Sequence, residues 1–478
     1  MSDLGRVRRN VVAKFAGEAC VRGLGALTFF CLARLMGAEG FGSYVAALAY
    51  AGVFVVFHEA GLHFLLAREV ARKHSAAGAH VRQVAVLKAV AALAVMVAAP
   101  AAAWLAGMPS GMVGLVALAA LALNAASFVE MLGAALTGLE RMDAEAVIRG
   151  AHKAAQFLLP VGAWLLARRA GWVLGAQAAA SVLAAVVAFR WAARGGIVAA
   201  DRRSTRGILR GAGPWLVEVW PLTAVAACTA LVARVDLIFL SRFRPMAEAG
   251  WYGAASRLFD LVQVLPALLM GVLFPILSRL AVGDDAARRD RAYERLFRWL
   301  AALAVPAAVL LHVWAGVIVG ICYGPEFADS AGVLRLLAPA MGFSFLGYLF
   351  VNALIASDRQ KAFLGVTLAG SSVSVVANLM LVPSWGPAGA AWARVLTEAV
   401  LLAGGLVVFR RFVHAVPVSL LARILLAAAV SLTAAWAAGG SLLGGTVAAL
   451  VYLPVLWVLR VVGTEDVAFG LRLLGSRR

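Results

Sequence analysis

The sequence predicts an all-α polytopic membrane protein of roughly fourteen transmembrane helices with both termini in the cytoplasm. Three observations carry this. Of 478 residues, 63% are hydrophobic and 14% charged, with mean hydropathy +0.91, against about 45–50% and about 25% in soluble chains. Apolar runs long enough to cross a bilayer recur along the whole length. The connections between them alternate between cation-rich and cation-poor.

At about 20 apolar residues per crossing, spans fall at 12–36, 42–66, 84–107, 111–136, 148–168 and 170–192. After a basic connection they resume at 214–241, 248–280, 298–323, 331–356, 362–383 and 386–410, and a last pair lies at 421–438 and 442–464. Arg6, Arg8 and Arg9 precede the first span like a signal-peptide head, but Lys14, Glu18 and Arg22 interrupt the apolar run. The segment therefore reads as an uncleaved first span. Small residues, as in GMVGLVALAALALNAAS from Gly111, allow close helix approach in lipid. Pro160, Pro266 and Pro275 can kink their helices.

Arginines and lysines fill the connections that this count makes cytoplasmic, among them Arg68, Arg72, Lys73, Arg141, Arg149, Arg202 and Arg203. The opposite links, GAEGF, GMPSG, YGPEFADS, VPSWGP and AGGS, are short and poor in cations; Arg168, Arg169, Arg242 and Arg244 are the exceptions. The formal charge of +19 thus reads as an orientation signal and contact with anionic lipid heads, not as a nucleic-acid surface. In the connection at 281–297, Asp284 or Asp285 is placed to cap a helix, and Tyr293 and Phe297 lie one turn apart against arginines. This predicts an interfacial helix. Cys20, Cys31, Cys228 and Cys322 match neither a metal site nor a disulfide framework.

The stretch from Ala233 to Ala281 concentrates charge at membrane depth: Arg234 and Asp236 in one run, Arg257 and Asp260 in the next. Each such charge costs roughly 2.5–3.5 kcal/mol on insertion scales, so it faces a cavity or a partner. Lys14, Glu18 and Arg22 recur every four residues and form one stripe on a helix. The stripe reads either as a mutually satisfied row or as a cavity wall. The Ala233–Ala281 charges read either as a lock between neighbouring helices or as guanidinium forks for a polyanion, balanced by acids when empty. His58, Glu59, Lys88, Glu130, Glu218, His312, Arg394 and Glu398 add further charges within or beside the spans. An acid or His among them could carry a coupling proton. The stretch also echoes an earlier one: ARLMGAEGFGSYVAA and SRFRPMAEAGWYGAA share an Arg, a turn with Glu, and Gly-x-Tyr (Gly42 and Tyr44; Gly250 and Tyr252). Such an echo fits duplicated halves around a central site or a common helix-hairpin packing.

ARLMGAEGFGSY followed by EAGLHFLLAREVAR, then RVDLIFLS, GWYGAASRL, LFPILSRLA and NLMLVPSWGPAGAAWARVLTEA, resemble in order the oligosaccharide flippases of bacterial polysaccharide synthesis. These belong to the multidrug/oligosaccharidyl-lipid/polysaccharide exporter superfamily. Met36 stands where that family commonly has Leu, and Glu59 where it commonly has Asp. The resemblance implies two pseudo-symmetric lobes around a central cavity, residues 1–205 and 206–410, with an additional helix pair in 411–478. It also implies alternating access for a polyprenyl-pyrophosphate-linked glycan moved to the outer leaflet of the bacterial inner membrane. Arg22, Arg234 and Arg257 are the candidate pyrophosphate ligands. Glu18, Glu59, Asp236 and Asp260 are the candidates for charge balance or ion coupling. The expected partners are the lipid-linked glycan, membrane lipids, a coupling ion (proton or sodium) and the polysaccharide synthesis machinery.

Export of a peptidoglycan precursor shares the pyrophosphate handle and is the close alternative. Arginines would repel cationic drugs in an amphiphile exporter. A membrane glycosyltransferase or polysaccharide polymerase would need long extracytoplasmic loops, and no catalytic, cofactor or metal motif points to an enzyme.

Overall fold

The computed structural model describes residues 3–59, 61–195, 197, 205–211, 213–270, 277–278, 286–357, 359–411, 418–439 and 442–459, with side chains from Gly17 onward. Among them every regular element is helical. The chain divides into two compact units, Met1–Gly250 and Trp251–Arg478.

The first unit holds α1 (Asp3–Glu59), α2 (Leu62–Arg72), α3 (Ala77–Leu105), α4 (Ser110–Gly138), α5 (Met142–Ala167), α6 (Ala170–Arg194), the short α7 (Thr205–Arg210) and α8 (Gly213–Phe243). α9 (Met246–Val262) starts in this unit and runs into the second. The second unit continues with α10 (Ala286–Val313), α11 (Ala315–Cys322), α12 (Ala328–Ala356), α13 (Gln360–Phe409), α14 (Val418–Ala437) and α15 (Leu442–Val458). Nine helical runs among the described residues are long and apolar enough to cross a membrane. Two of them contain a non-helical glycine, Gly37 in α1 and Gly386 in α13, and so hold two crossings each. α5, α14 and α15 lie where the remaining three of the fourteen expected spans fall. Large apolar side chains face outward, with Leu166 90% and Trp436 84% exposed, as lipid contact requires and water does not.

In the first unit α1 packs on α5 and α8, α4 on α6 and α3. The contacts rest on small residues: a side chain at Gly17 would meet Ala146, and one at Gly138 would meet the Ala67 carbonyl and Val70. The two echo sequences meet each other. A Cβ at Gly42 would run into the Met246 carbonyl and the Gly250 amide, and one at Gly250 into the Ala38 carbonyl. The echo is thus a reciprocal backbone contact between the start of the second crossing and the start of α9. Tyr44 and Tyr252, each two residues after its glycine, are both buried. Because this contact and α8 tie into α1, the compact unit extends to Gly250.

The second expected span is broken. α1 ends at Glu59 and α2 starts at Leu62, with Gly61 between them at φ 79° and ψ −40°. Left-handed φ excludes most side chains, and a Cβ there would also strike Val219 Cγ1. Gly61→Ala is expected to destabilise the protein by ~1–3 kcal/mol, read as a lower Tm in detergent. Val219→Ala should return part of that loss by opening the space, and a double variant no better than Gly61→Ala would contradict the packing argument.

The second unit corrects one expectation. Among the described residues no separate interfacial helix precedes the ninth span: α10 is one helix from Ala286, and Tyr293 and Phe297 lie in the core. The Tyr293 and Phe409 rings meet edge-on at 5.0 Å, and Phe350 lies 5.1 Å from Phe409. The aromatic pair buries where α12 and α13 cover it, which outweighs an interface position. The capping role expected of Asp284 or Asp285 lies outside the described residues, as does Pro275. The ninth span is itself divided at Trp314, between α10 and α11. α9 is interrupted at Gln263, three residues before Pro266, whose missing N–H cannot bond the turn behind it.

Candidate functional site

α1 and α5 hold the first charged group. Arg22 Nε donates to Glu18 Oε1 at 2.7 Å, the four-residue pairing that the stripe implies. Glu18 Oε2 in turn accepts from Arg149 Nη1 of α5 at 3.1 Å. Arg149 also lies 3.4 Å from Glu145 Oε1 and 2.9 Å from Glu130 Oε2 of α4, the latter an ion pair whose N–H is not aimed at the oxygen. Thr137 donates to the other Glu145 oxygen at 2.8 Å. Three carboxylates thus converge on one guanidinium, whereas Arg22 pairs with one and keeps 47% of its side chain exposed. The side chain of Lys14 lies outside the described residues.

Arg234 and Asp236 project from α8. Arg234 lies across the second crossing of α1, where a Cβ at Gly52 would meet its guanidinium stem. It is close enough to Glu59 for their charges to interact. Asp236 is buried, 1% exposed, and two residues along a helix it leaves a different face from Arg234. Arg257 and Asp260 belong to the second unit, one turn apart on α9, and both act electrostatically on the buried Tyr323. Tyr323 donates its hydroxyl to the Ala254 carbonyl at 3.0 Å. Nearby on α13, Arg394 Nε donates to Glu398 at 3.0 Å and covers the Phe259 ring at 5.4 Å.

A third group sits where α1 breaks. Lys88 of α3 is fully buried. Its ammonium donates to the His58 carbonyl at 3.4 Å, to His63 Nε2 of α2 at 2.8 Å, and to Ser127 Oγ of α4. Glu59 and Glu130 both act on its charge. Among the described residues, no group of three or more His, Cys, Asp or Glu is placed to hold a metal ion.

Sequence reasoning treated Arg149 only as a cation of a cytoplasmic connection. Its signal was present: Glu145, Arg149 and Lys153 repeat the four-residue spacing of Lys14, Glu18 and Arg22 on a facing helix. Ser127 and His63 carry no signal, since they meet Lys88 from two other helices, and Asn124 reaches the group only through His58.

Two family models match most of the chain between them: Polysaccharide biosynthesis protein over residues 7–281, and Lipid II flippase MurJ over residues 171–462. The chain belongs to the polysaccharide and oligosaccharide flippase family of the multidrug/oligosaccharidyl-lipid/polysaccharide exporter superfamily. This family is one of transporters, and the chain is a multi-pass member of it. The flippase-family chain is 22% identical over 166 residues to the Probable low-salt glycan biosynthesis flippase Agl15 of Haloferax volcanii, 35% of either chain. It is 23% identical over 162 residues to an uncharacterised membrane protein of Methanocaldococcus jannaschii, 34% of this chain and 32% of that one. The chain therefore spans about a third of the length of the curated relatives it matches. Its fold is that of two kinds of solved structure. Lipid II flippase MurJ in an inward closed conformation aligns at TM-score 0.73 and 13% identity, over 93% of this chain and 97% of that one. An inward-facing multidrug resistance MATE family transporter aligns at 0.64 and 12%, over 81% and 94%.

Proposed function

We propose that this flippase-family chain carries a polyprenyl-pyrophosphate-linked glycan from the cytoplasmic to the outer leaflet of the plasma membrane by alternating access. Helices of residues 1–205 and 206–410 would form the moving lobes, with 411–478 an added pair and both termini cytoplasmic. The observation that carries the reading is a set of guanidinium groups on membrane-crossing helices. Arg22 is the most telling of them, paired with a single carboxylate and half exposed. A pyrophosphate offers the dense negative charge that a guanidinium fork binds bidentately. Arg22 would meet it first, and Arg234 and Arg257 later in transit. Glu18, Glu59, Asp236 and Asp260 would balance charge or couple an ion. The name of the Haloferax volcanii relative supports a glycan cargo, and the polysaccharide synthesis machinery is the natural supplier.

The MurJ family match over 171–462 supports a second reading, export of a peptidoglycan precursor on the same lipid handle. Depletion of the protein separates the two. The intermediate that accumulates on the cytoplasmic leaflet, still made but not displayed, identifies the cargo, and blocked synthesis of both intermediates would defeat either reading. Arg22→Glu, Arg234→Glu and Arg257→Glu are each expected to cut outer-leaflet delivery at least tenfold while the chains still insert. Normal delivery by all three variants would remove the pyrophosphate role.

A further inference from the structure

We infer that a cavity in the second unit, between α11 and the start of α12, binds one ethanolamine-type phospholipid of the surrounding bilayer. Its phosphate would sit on Arg335 and its ammonium on Asp329. The inference goes beyond the transport reading, because it concerns a lipid that stays on the protein and not a cargo that moves through it.

Asp329 is the second residue of α12 and Arg335 the eighth, about 9 Å apart along the helix axis. Both line a cavity of about 480 Å³, whose walls include Gly316 and Gly320 of α11, Gly324 of the connection and Gly332 of α12. Glycines in membrane helices ordinarily seat a neighbouring helix. Here a Cβ at Gly320, Gly324 or Gly332 would meet nothing within 4 Å, so the space is left by missing side chains. Its volume falls within the ~300–1,000 Å³ of small-molecule sites, more than a lone ion fills.

The two charges share this cavity without using each other. Among the described residues, neither side chain makes an ion pair or a hydrogen bond, with the other or with a third group. The guanidinium leans across to α11, where a Cβ at Gly316 would lie 3.7 Å from Arg335 Nη2. The backbone behind it is held from α10, because His312 Nδ1 donates to the Arg335 carbonyl at 3.2 Å.

An anion would bind Arg335 and be repelled by Asp329, and a cation would meet the reverse. One ligand with both signs satisfies both through charge-assisted hydrogen bonds, guanidinium to phosphate and ammonium to carboxylate. Depth selects a phospholipid. The 29 residues of α12 span about 44 Å, the thickness of the hydrocarbon and both headgroup layers. Asp329 therefore lies among headgroups, and Arg335, about 10 Å from the helix start, at the edge of the hydrocarbon. In a phospholipid the ammonium is likewise the terminal group, and the phosphate lies nearer the acyl chains. Quaternary ammonium groups are recognised by aromatic cages, and among the described residues no aromatic side chain lines this cavity. A primary ammonium, with N–H groups for the carboxylate, is the better match.

The test uses the full chain, purified in detergent and stripped of lipid. It is offered equal amounts of phosphatidylethanolamine, phosphatidylcholine and phosphatidylglycerol with identical acyl chains, and native mass spectrometry counts what stays bound. Wild type is expected to retain one phosphatidylethanolamine with at least about tenfold preference over either other lipid, the worth of one charge-assisted hydrogen bond. Arg335→Gln should lose that bound lipid. Asp329→Asn should no longer distinguish phosphatidylethanolamine from phosphatidylcholine. Gly320→Leu alters no charge and replaces a poor helix former with a good one, so it should elute as wild type does yet lose the lipid by filling the cavity. An unchanged preference in all three variants would place the lipid elsewhere and overturn the inference. A wild-type chain that prefers phosphatidylglycerol or phosphatidylcholine, or that discriminates among none of the three, would overturn it too. Release of the lipid by an equal concentration of inorganic phosphate would show a plain anion site, with the same consequence. Where either charge variant fails to elute as a single species, Gly320→Leu decides.

Discussion

Gly42→Leu or Gly250→Leu is expected to abolish the folded protein, seen as loss of the monodisperse peak in size-exclusion chromatography. The atoms a side chain would strike are not the tips of flexible chains. They are the Met246 carbonyl and Gly250 amide on one side and the Ala38 carbonyl on the other. A rotamer change cannot clear a backbone carbonyl, so the helices themselves must separate. Overpacking by one or two methylenes costs typically ~1–3 kcal/mol where neighbours can adjust. With backbone as the obstacle the cost belongs at or above the top of that range, a large part of the ~5–15 kcal/mol that holds a domain folded. Alanine at either position should give an intermediate loss. The double Gly42→Ala, Gly250→Ala variant should cost less than the sum, because both side chains pry open one crossing. Gly114→Leu is the control, since nothing lies within 4 Å of a Cβ there. Equal thermal stability of Gly42→Leu and Gly114→Leu would refute the crossing.

Arg149→Met is expected to destabilise the protein by ~3–5 kcal/mol, the usual cost of removing one partner from a buried ion pair. The guanidinium is the shared counter-charge of Glu18, Glu130 and Glu145, and its side chain is 18% exposed. Without it three carboxylates from α1, α4 and α5 face one another in a medium that screens them poorly. Arg149→Lys should recover only part of the loss, because a point charge cannot reach three separate carboxylates as a planar fork does. Adding Glu145→Gln to Arg149→Met should recover more, by removing the most buried of the three acids. Thermal unfolding in detergent measures all three variants. A Tm for Arg149→Met within about 2 °C of wild type would mean that the carboxylates are neutralised some other way.

The crossings were readable because hydropathy is a local property. A window of about 20 residues sums the transfer energy of one helix through lipid, and no knowledge of neighbours is needed. The expected spans at 362–383 and 386–410 accordingly meet at Gly386, where α13 is broken, and Pro266 marks the interruption of α9. The resemblance carried by GFGSY and GWYGAAS named the family for the same reason, since short motifs are contiguous. Arg22 with Glu18 was likewise legible from a spacing of four.

Interactions that join helices were not. Tyr293 and Phe297 read as an interface pair until α12 and α13 covered them. Arg149 read as a loop cation until α1 and α4 brought it two of its three acids. Lys88 meets His58, His63 and Ser127 from three other helices, and nothing in its own segment ranks it above any other buried lysine. Even the echoed glycines gave only a repeated phrase; that they touch follows from the crossing of α1 and α9. By itself the sequence determined which segments enter the membrane, because burial in lipid is decided residue by residue. Only the tertiary structure decided which charges neutralise which, because that depends on distances of 3–4 Å between groups far apart in the chain.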